Sequence, residues 1–315
     1  MIRWGINSNN HGSSIAIFHN EKLTSWKFSK EDELPNDVVR QGLQYGNPDE
    51  LYWYERPWIK KARQLYAGQY STAFDLSSLP SRWMKNNNLN NIPVAYTPHH
   101  ASHAAAGYYT SPFNYAAVVV LDAIGEFECA TIWSADNGEL RKLWSRSYPN
   151  SLGLFYSAFT KLVNLVPIKD EYLFQKMSDN GDPNRFYHEV KKYMGGMVNA
   201  HKNMHRGILD WPLEINNIQD QCDIAAAVQE VFTEQVNSVM LTAKYLTNAK
   251  SLVYMGGCAM NSKTNKQVVE PMFKYTWSLP MPGDPSSSIG TVLYHNKFKL
   301  QDYKWDPVKH IEIRV

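Results

Sequence analysis

Alternation of apolar and polar residues organises the start of the chain. In "IRWGINSNNHGSSIAIFHNEKLTSWKFS" it predicts a strand ending in Asn7, a short polar turn with Gly12, and further strands over 14–18 and 22–29. The pattern returns in "AAVVVLDAIGEFECATIWSADNGELRKLWSRSY". There a strand ends in Asp122, a turn carries Gly125, and strands follow over about 128–134 and 139–147. The Asp-Asn-Gly between the last two is a hairpin signal. Each β-β-β unit closes its first strand on a polar residue before a Gly-bearing turn. The repetition predicts duplicated lobes facing one cleft, in an α/β fold.

Helical periodicity is clearest over 223–249, where apolar residues at 224, 228, 231, 232, 236, 239, 240, 243 and 246 mark one face and Asp223 is placed to cap it. It leads into "SLVYMGGCAMNS", a short strand, two glycines and a helix start, a turn whose backbone N–H groups suit phosphate or ribose. A tight turn is the plainer reading. The segment is not a Walker A loop, because Ser262 rather than glycine precedes Lys263. "KNNNLNN" at 85–91 reads as a surface loop.

Composition adds limits. The 315 residues are 43% hydrophobic and 20% charged, enough for a sizeable core in one large domain or two lobes. A net charge of +2 demands no polyanionic partner. Cys129, Cys222 and Cys258 are far apart and form no CxxC pair, which fits reduced thiols in a cytoplasmic protein. With no apolar leader and no run of about 18 apolar residues, the expectation is a soluble, unsecreted chain that does not engage a membrane. Nothing here opposes a homo-oligomer.

The chemistry-bearing stretch is "TPHHASHAAAGYY". His99 and His103 share a helix face, at a spacing that suits one divalent ion, and His100 points elsewhere. A pair of polar residues at a helix start explains the same spacing. "HKNMH" places His201 and His205 equally, within a polar, Gly-broken segment that reads as a solvated excursion. Asp122 and Asp284 stand where strands stop and loops bend, where sites gather in α/β sheets. An Asx-turn or N-cap accounts for either.

Together the motifs resemble one family. "GINSNNHGSSIAIFHN", "LYWYERPWIKKARQL", "HHASHAAAGYYTSPFNYAAVVVLDAIGE", "YPNSLGLFYSAFTKLVNL", "DIAAAVQEVF", "YMGGCAMNSKTN" and "PMPGDPSSSIGTVLY" are similar, in order, to the N-terminal domain of O-carbamoyltransferases of the antibiotic- and nodulation-factor-modifying type. That domain is itself similar to the tRNA threonylcarbamoyl-transfer protein. The resemblance implies the actin/sugar-kinase/Hsp70 (ASKHA) fold, two lobes of duplicated βββαβα units: lobe I about 1–110 plus the C-terminal helix, lobe II about 111–295.

It also implies a metal site at His99, His103, Asp122 and Asp284, with His100 as a supporting neighbour. The ion is Fe2+ by preference, with Mg2+ and Mn2+ as alternatives. The nucleotide turn falls on Gly256, Gly257 and Asn261, with Gly125 and Asp122 near the phosphate and Asp122 among the catalytic groups. His11 is the expected general base. The reaction implied is transfer of a carbamoyl group from carbamoyl-adenylate, made from carbamoyl phosphate and ATP, to an acceptor hydroxyl.

Three segments depart from the family pattern. Ala123 replaces a glycine of the phosphate turn, "DEYLFQKMSDNGDP" leaves Lys176 without a settled role, and "SKEDELPND" differs near the acceptor. The family's adenylating domain does not follow here, so a separate domain or subunit is the expected source of carbamoyl-adenylate. Aromatics interleaved with basic residues in "WYERPWIKKARQLY", "SRWMK", "RKLWSRSY" and "RFYHEVKKY" favour a nucleic-acid acceptor, such as a hydroxymethylated pyrimidine in a nucleotide or DNA. A sugar or antibiotic hydroxyl is the alternative. A threonylcarbamoyl transferase, a kinase of the same fold and a non-catalytic nucleotide-binding subunit stay open.

Overall fold

The computed structural model describes residues 1–9, 12–196 and 199–300. The first sheet joins β1 (Ile2–Asn7), β2 (Ser13–His19), β3 (Lys22–Ser29), β4 (Glu50–Trp53) and β5 (Val94–Tyr96) in the order β3-β2-β1-β4-β5. The pairs β1/β2 and β2/β3 are antiparallel, and β1/β4 and β4/β5 are parallel. Its helices are α1 (Asn36–Leu43), α2 (Pro57–Tyr66), α3 (Tyr70–Phe74), α4 (Pro80–Asn86) and α5 (His99–Thr110).

The second half repeats the plan. β6 (Tyr115–Gly125), β7 (Glu128–Asp136) and β8 (Glu139–Ser147) form the meander, a two-residue ribbon pairs β9 (Met194–Gly195) with β10 (Asn199–Ala200), and β11 (Ser251–Met255) and β12 (Tyr275–Trp277) complete the order β12-β11-β6-β7-β8. Antiparallel and parallel pairings fall as in the first sheet. The helices are α6 (Leu152–Leu162), α7 (Glu171–Met177), α8 (Tyr187–Lys191), α9 (Ile218–Thr247), α10 (Ser262–Thr264), α11 (Glu270–Met272) and α12 (Ser287–Asn296). The hairpin between β7 and β8 turns on Asn137 and Gly138, both at positive φ, as the Asp-Asn-Gly signal requires.

Two helices exchange sheets. α5 leaves the first sheet and packs on β6, β7 and β11 of the second, while α12 leaves the second and packs on β1, β2 and β4 of the first. The two helices also pack on each other. This sandwich explains the small residues: every residue of α5 is buried, and a Cβ at Gly290 of α12 would lie 1.8 Å from the Ser102 carbonyl oxygen. The alanine run is a close-packing device as well as a helix former.

Three sequence expectations change. The long helix starts one turn earlier than 223, capped by the Asn217 side chain accepting from Asp220 N at 2.9 Å, while buried Asp223 binds Arg185 at 2.8 Å. The excursion holding "HKNMH" is not wholly solvated. Val190, Tyr193, Met194 and Met204 enter the core around α9, whereas His201 is exposed. "KNNNLNN" is partly helix and buries Leu89 in the first-lobe core. Among the described residues, no helix is long and apolar enough to cross a membrane.

Candidate metal centre and its cleft

The first turns of α5 present His99 and His103 four residues apart, on one face. Asp122 comes from β6, where pairing with β7 is interrupted between Leu121 and Gly125 and the strand bends. Asp284 opens the turn that leads into α12. These segments, remote in sequence, converge. The two Nε2 atoms are 3.1 Å apart, and each lies 3.3 Å from Asp122 Oδ2 and 3.3 Å from Asp284 Oδ1. All four donor atoms fall within 4.8 Å of one another.

The donor chemistry fits a single divalent cation. The two Nε2 atoms crowd within 3.1 Å of each other and 3.3 Å of both carboxylates, an arrangement that one cation among them would bridge. Donor separations near 3.2 Å are what an ion bound at about 2.0–2.3 Å requires. Two nitrogens and two carboxylate oxygens suit Fe2+, Mn2+ or Zn2+ better than a soft ion. Burial opposes charge on all four groups, yet the opposite charges prevail: both carboxylates sit below their usual range and both imidazoles above theirs. His100 faces away, with Nδ1 3.0 Å from Thr131 Oγ1, and burial and the nearby His99 push its pKa well below the ordinary imidazole value.

The centre lies at the wall of a cleft of about 890 Å³, lined by both lobes. On the second-lobe side are Gly257 and Asn261. Asn261 is held from beneath: its Nδ2 donates to Gln229 Oε1 at 3.0 Å, and the same oxygen accepts from the Tyr156 hydroxyl at 3.0 Å. Gln229 in turn donates to Thr264 Oγ1 at 2.9 Å. The Gln229 network is buried and fully committed, so the Asn261 amide is fixed before any ligand arrives.

Other positions singled out in the sequence fall elsewhere. Gly125 backs His99: an added Cβ would stand 2.1 Å from the imidazole Cδ2. Gly256 has φ +91 and its backbone lies against Leu121, so it shapes the turn while Gly257 reaches the cleft. Lys176 is exposed, with its ammonium over the Tyr172 ring, while Glu171, Tyr172 and Gln175 of that helix line the cleft. His11 lies outside the described residues. Trp53, Tyr54, Trp83 and Tyr193 of the basic-aromatic motifs are buried, so these rings pack the interior and are not free to stack on bases.

Sequence reasoning passed over the first-lobe wall. Buried Glu126 at the β6–β7 turn accepts the Arg56 backbone N–H at 2.7 Å and pairs with its guanidinium, tying the lobes together. Lys60 pairs with Glu55 at 2.6 Å, and Arg63 is buried beside them. The signal was present in "ERPWIKKAR", where charged residues occupy the inward face of an amphipathic helix.

Comparison with known proteins agrees with this architecture. Over 93% of its length the chain superposes on the activator of the 2-hydroxyisocaproyl-CoA dehydratase from Clostridium difficile, solved with bound ADPNP (TM-score 0.52, 14% identity, 94% of that chain). Component A of the Acidaminococcus fermentans (R)-2-hydroxyglutaryl-CoA dehydratase matches with TM-score 0.52 and 12% identity, over 94% of this chain and 99% of that one. The fold is thus of the ASKHA class, as the motifs implied.

In sequence, the nodulation protein NolNO of Sinorhizobium fredii is 22% identical over 94% of this chain and 48% of its own length. An uncharacterised Synechocystis protein is 29% identical over 64% of this chain and 36% of its own length. The chain therefore spans about a third to a half of the curated relatives it matches. The model of the carbamoyltransferase N-terminus matches residues 52–293, more than half of the chain, and the chain belongs to that family.

Proposed function

We propose that this chain carries out the transfer half of an O-carbamoylation, moving a carbamoyl group from carbamoyl-adenylate to an acceptor hydroxyl. The observation that carries the reading is the convergence of two imidazoles and two carboxylates at the wall of a cleft of about 890 Å³, room enough for a nucleotide. His99, His103, Asp122 and Asp284 would hold a divalent cation, which when bound supplies Lewis-acid stabilisation of the charge that develops on the donor's oxygens. Fe2+ is the proposed ion.

The chain's own groups do the rest. The Gly257 backbone and the pre-set Asn261 amide orient the adenylate, lowering the entropic cost of bringing donor and acceptor together. The Arg56–Glu126 tie fixes the first-lobe wall against the second, so that an acceptor bound there meets the donor in one geometry. Asp122, whose Oδ1 accepts from its own following N–H at 2.7 Å, is held in register by the β6 bend. Carbamoyl-adenylate would come from a separate adenylating domain or subunit working from carbamoyl phosphate and ATP.

The acceptor proposed is nucleotide-sized, for instance a hydroxymethylated pyrimidine nucleotide. A cleft of this volume holds an adenylate with a second small molecule. The test is mass spectrometry of candidate hydroxyl acceptors after incubation with the chain, an adenylating partner, carbamoyl phosphate and ATP. The expected product carries one carbamoyl in place of a hydroxyl hydrogen. Phosphorylated product with release of ADP would instead assign a kinase.

A further inference from the structure

Arg63 is a buried cation facing the cleft. It is 6% exposed, it lines the cavity, and among the described residues it pairs with no carboxylate. Its Nε donates to the Glu126 carbonyl at 3.2 Å and its Nη1 to Gln69 Oε1 at 2.6 Å. Neither acceptor carries a formal charge. Glu55, the carboxylate nearest in sequence, is committed to Lys60. Burial pulls the guanidinium below its ordinary pKa, and the nearby Glu55 charge, already paired with Lys60, offsets this only in part. A buried charge in this state is expensive unless an anion completes it.

The surroundings indicate what anion. With Gln69 Oε1 accepting from Arg63, Gln69 Nε2 is left to donate to His205 Nε2, 2.6 Å away. That assigns His205 a lone pair at Nε2. The next residue, exposed Arg206, reaches over the first lobe: its Nη2 lies 3.6 Å from where a Cβ on Gly68 would stand. Arg206 also pairs with no carboxylate among the described residues, and it too lines the cleft. Two guanidinium groups, one buried and one at the rim, flank the same short stretch, Gly68–Gln69. A singly charged carboxylate needs one of them; a phosphate dianion uses both.

We propose that Arg63 and Arg206 form an anion subsite that receives a phosphate group on the acceptor, in the cleft beside Gly68–Gln69. This deepens the proposed function, on which it rests, by restricting the acceptor to a phosphorylated molecule. The group bound there is a positioning handle and takes no part in bond making.

The test is calorimetric titration of the full chain with inorganic phosphate, in the presence of saturating AMP. Wild type should bind one phosphate per chain, and acetate should bind at least tenfold more weakly. Arg63→Met should lower phosphate affinity at least tenfold, and Arg206→Ala, an exposed change that spares the fold, severalfold. AMP affinity, measured separately, should stay within twofold in both variants. The proposal fails if wild type does not bind phosphate with AMP present, if AMP displaces the phosphate, if acetate binds as well as phosphate, or if Arg206→Ala binds phosphate like wild type. Loss of AMP binding in wild type would instead count against the transfer reading, so the two failures are distinguishable.

Discussion

Adding one methyl group at Gly125 is the sharpest probe of the centre. In Gly125→Ala the new Cβ would lie 2.1 Å from His99 Cδ2, 2.4 Å from Cγ and 2.8 Å from Nε2. Restoring ordinary contact moves the ring by about 1.3 Å. The ring has little room to yield, because His99 is 2% exposed and packs edge-on against Tyr54 at 5.4 Å. Overpacking of this kind costs about 1–3 kcal/mol. A shift of that size also spoils donor separations of 3.1–3.3 Å, and a tenfold to hundredfold loss of metal affinity is the expected order.

The assay is thermal or urea unfolding with and without added Fe2+ or Mn2+, together with direct metal titration. At an ion concentration of about 100 times the wild-type Kd, the ion stabilises the native state by about 2.7 kcal/mol. A site weakened a hundredfold retains only about 0.4 kcal/mol of that. In the double variant with His99→Ala the methyl has room, so its intrinsic cost should largely vanish. The coupling between the two changes is expected to be about 1–3 kcal/mol. Strict additivity, or wild-type metal affinity in Gly125→Ala, would refute the idea that Gly125 exists to seat His99.

Further outcomes follow from other parts of the structure. Gly290→Ala should destabilise by at least about 1–3 kcal/mol in urea unfolding, since its Cβ meets the Ser102 carbonyl where α5 and α12 cross. Gln229→Leu should weaken nucleotide binding about tenfold or more in titrations, by releasing the Asn261 amide and leaving the Tyr156 hydroxyl buried without an acceptor. Burial pushes the Cys129 thiol up to about 12 and raises Cys222 and Cys258, so at pH 8 iodoacetamide should label the three only after unfolding.

The outer strands of both meanders were legible because alternation survives where one strand face is more exposed than the other, whereas β2 and β6 are buried on both faces. β3 and β8 run over the spans that alternation marks. Asn217 was not legible as a cap. The pattern of apolar residues begins seven positions later, at Ile224, and the extra turn depends on Arg185 gripping Asp220 and Asp223 from a distant segment. The excursion around His201 failed for a related reason. Its charged residues mask a sparse set of anchors, Val190, Met194 and Met204, whose burial depends on α9. Periodicity reports a face only when the whole element shares it. Spacing indicated His99 and His103 as a pair, but their union with Asp122 and Asp284 belongs to the tertiary fold.

The exchange of helices explains why the centre stands where it does. Ile6 faces the α1 and α4 core of the first half as Leu121 faces the α6 and α9 core of the second, so Asn7 in the first unit occupies the place of Asp122 in the second. α5 and α12 likewise follow the last strands of their own sheets and cross to the other. Their starting turns, carrying His99 and Asp284, meet on the axis relating the two halves, at the carboxyl ends of the central strands. A carboxylate on only one central strand breaks the symmetry and assigns the ion to the second-lobe face. Each exchanging helix therefore contributes a ligand from its own start, and an ion held there joins segments that the chain connects only through both sheets. Metal binding should accordingly protect the backbone amides of α5 and α12 from hydrogen exchange together, and Asp284→Asn should remove that protection in both helices at once.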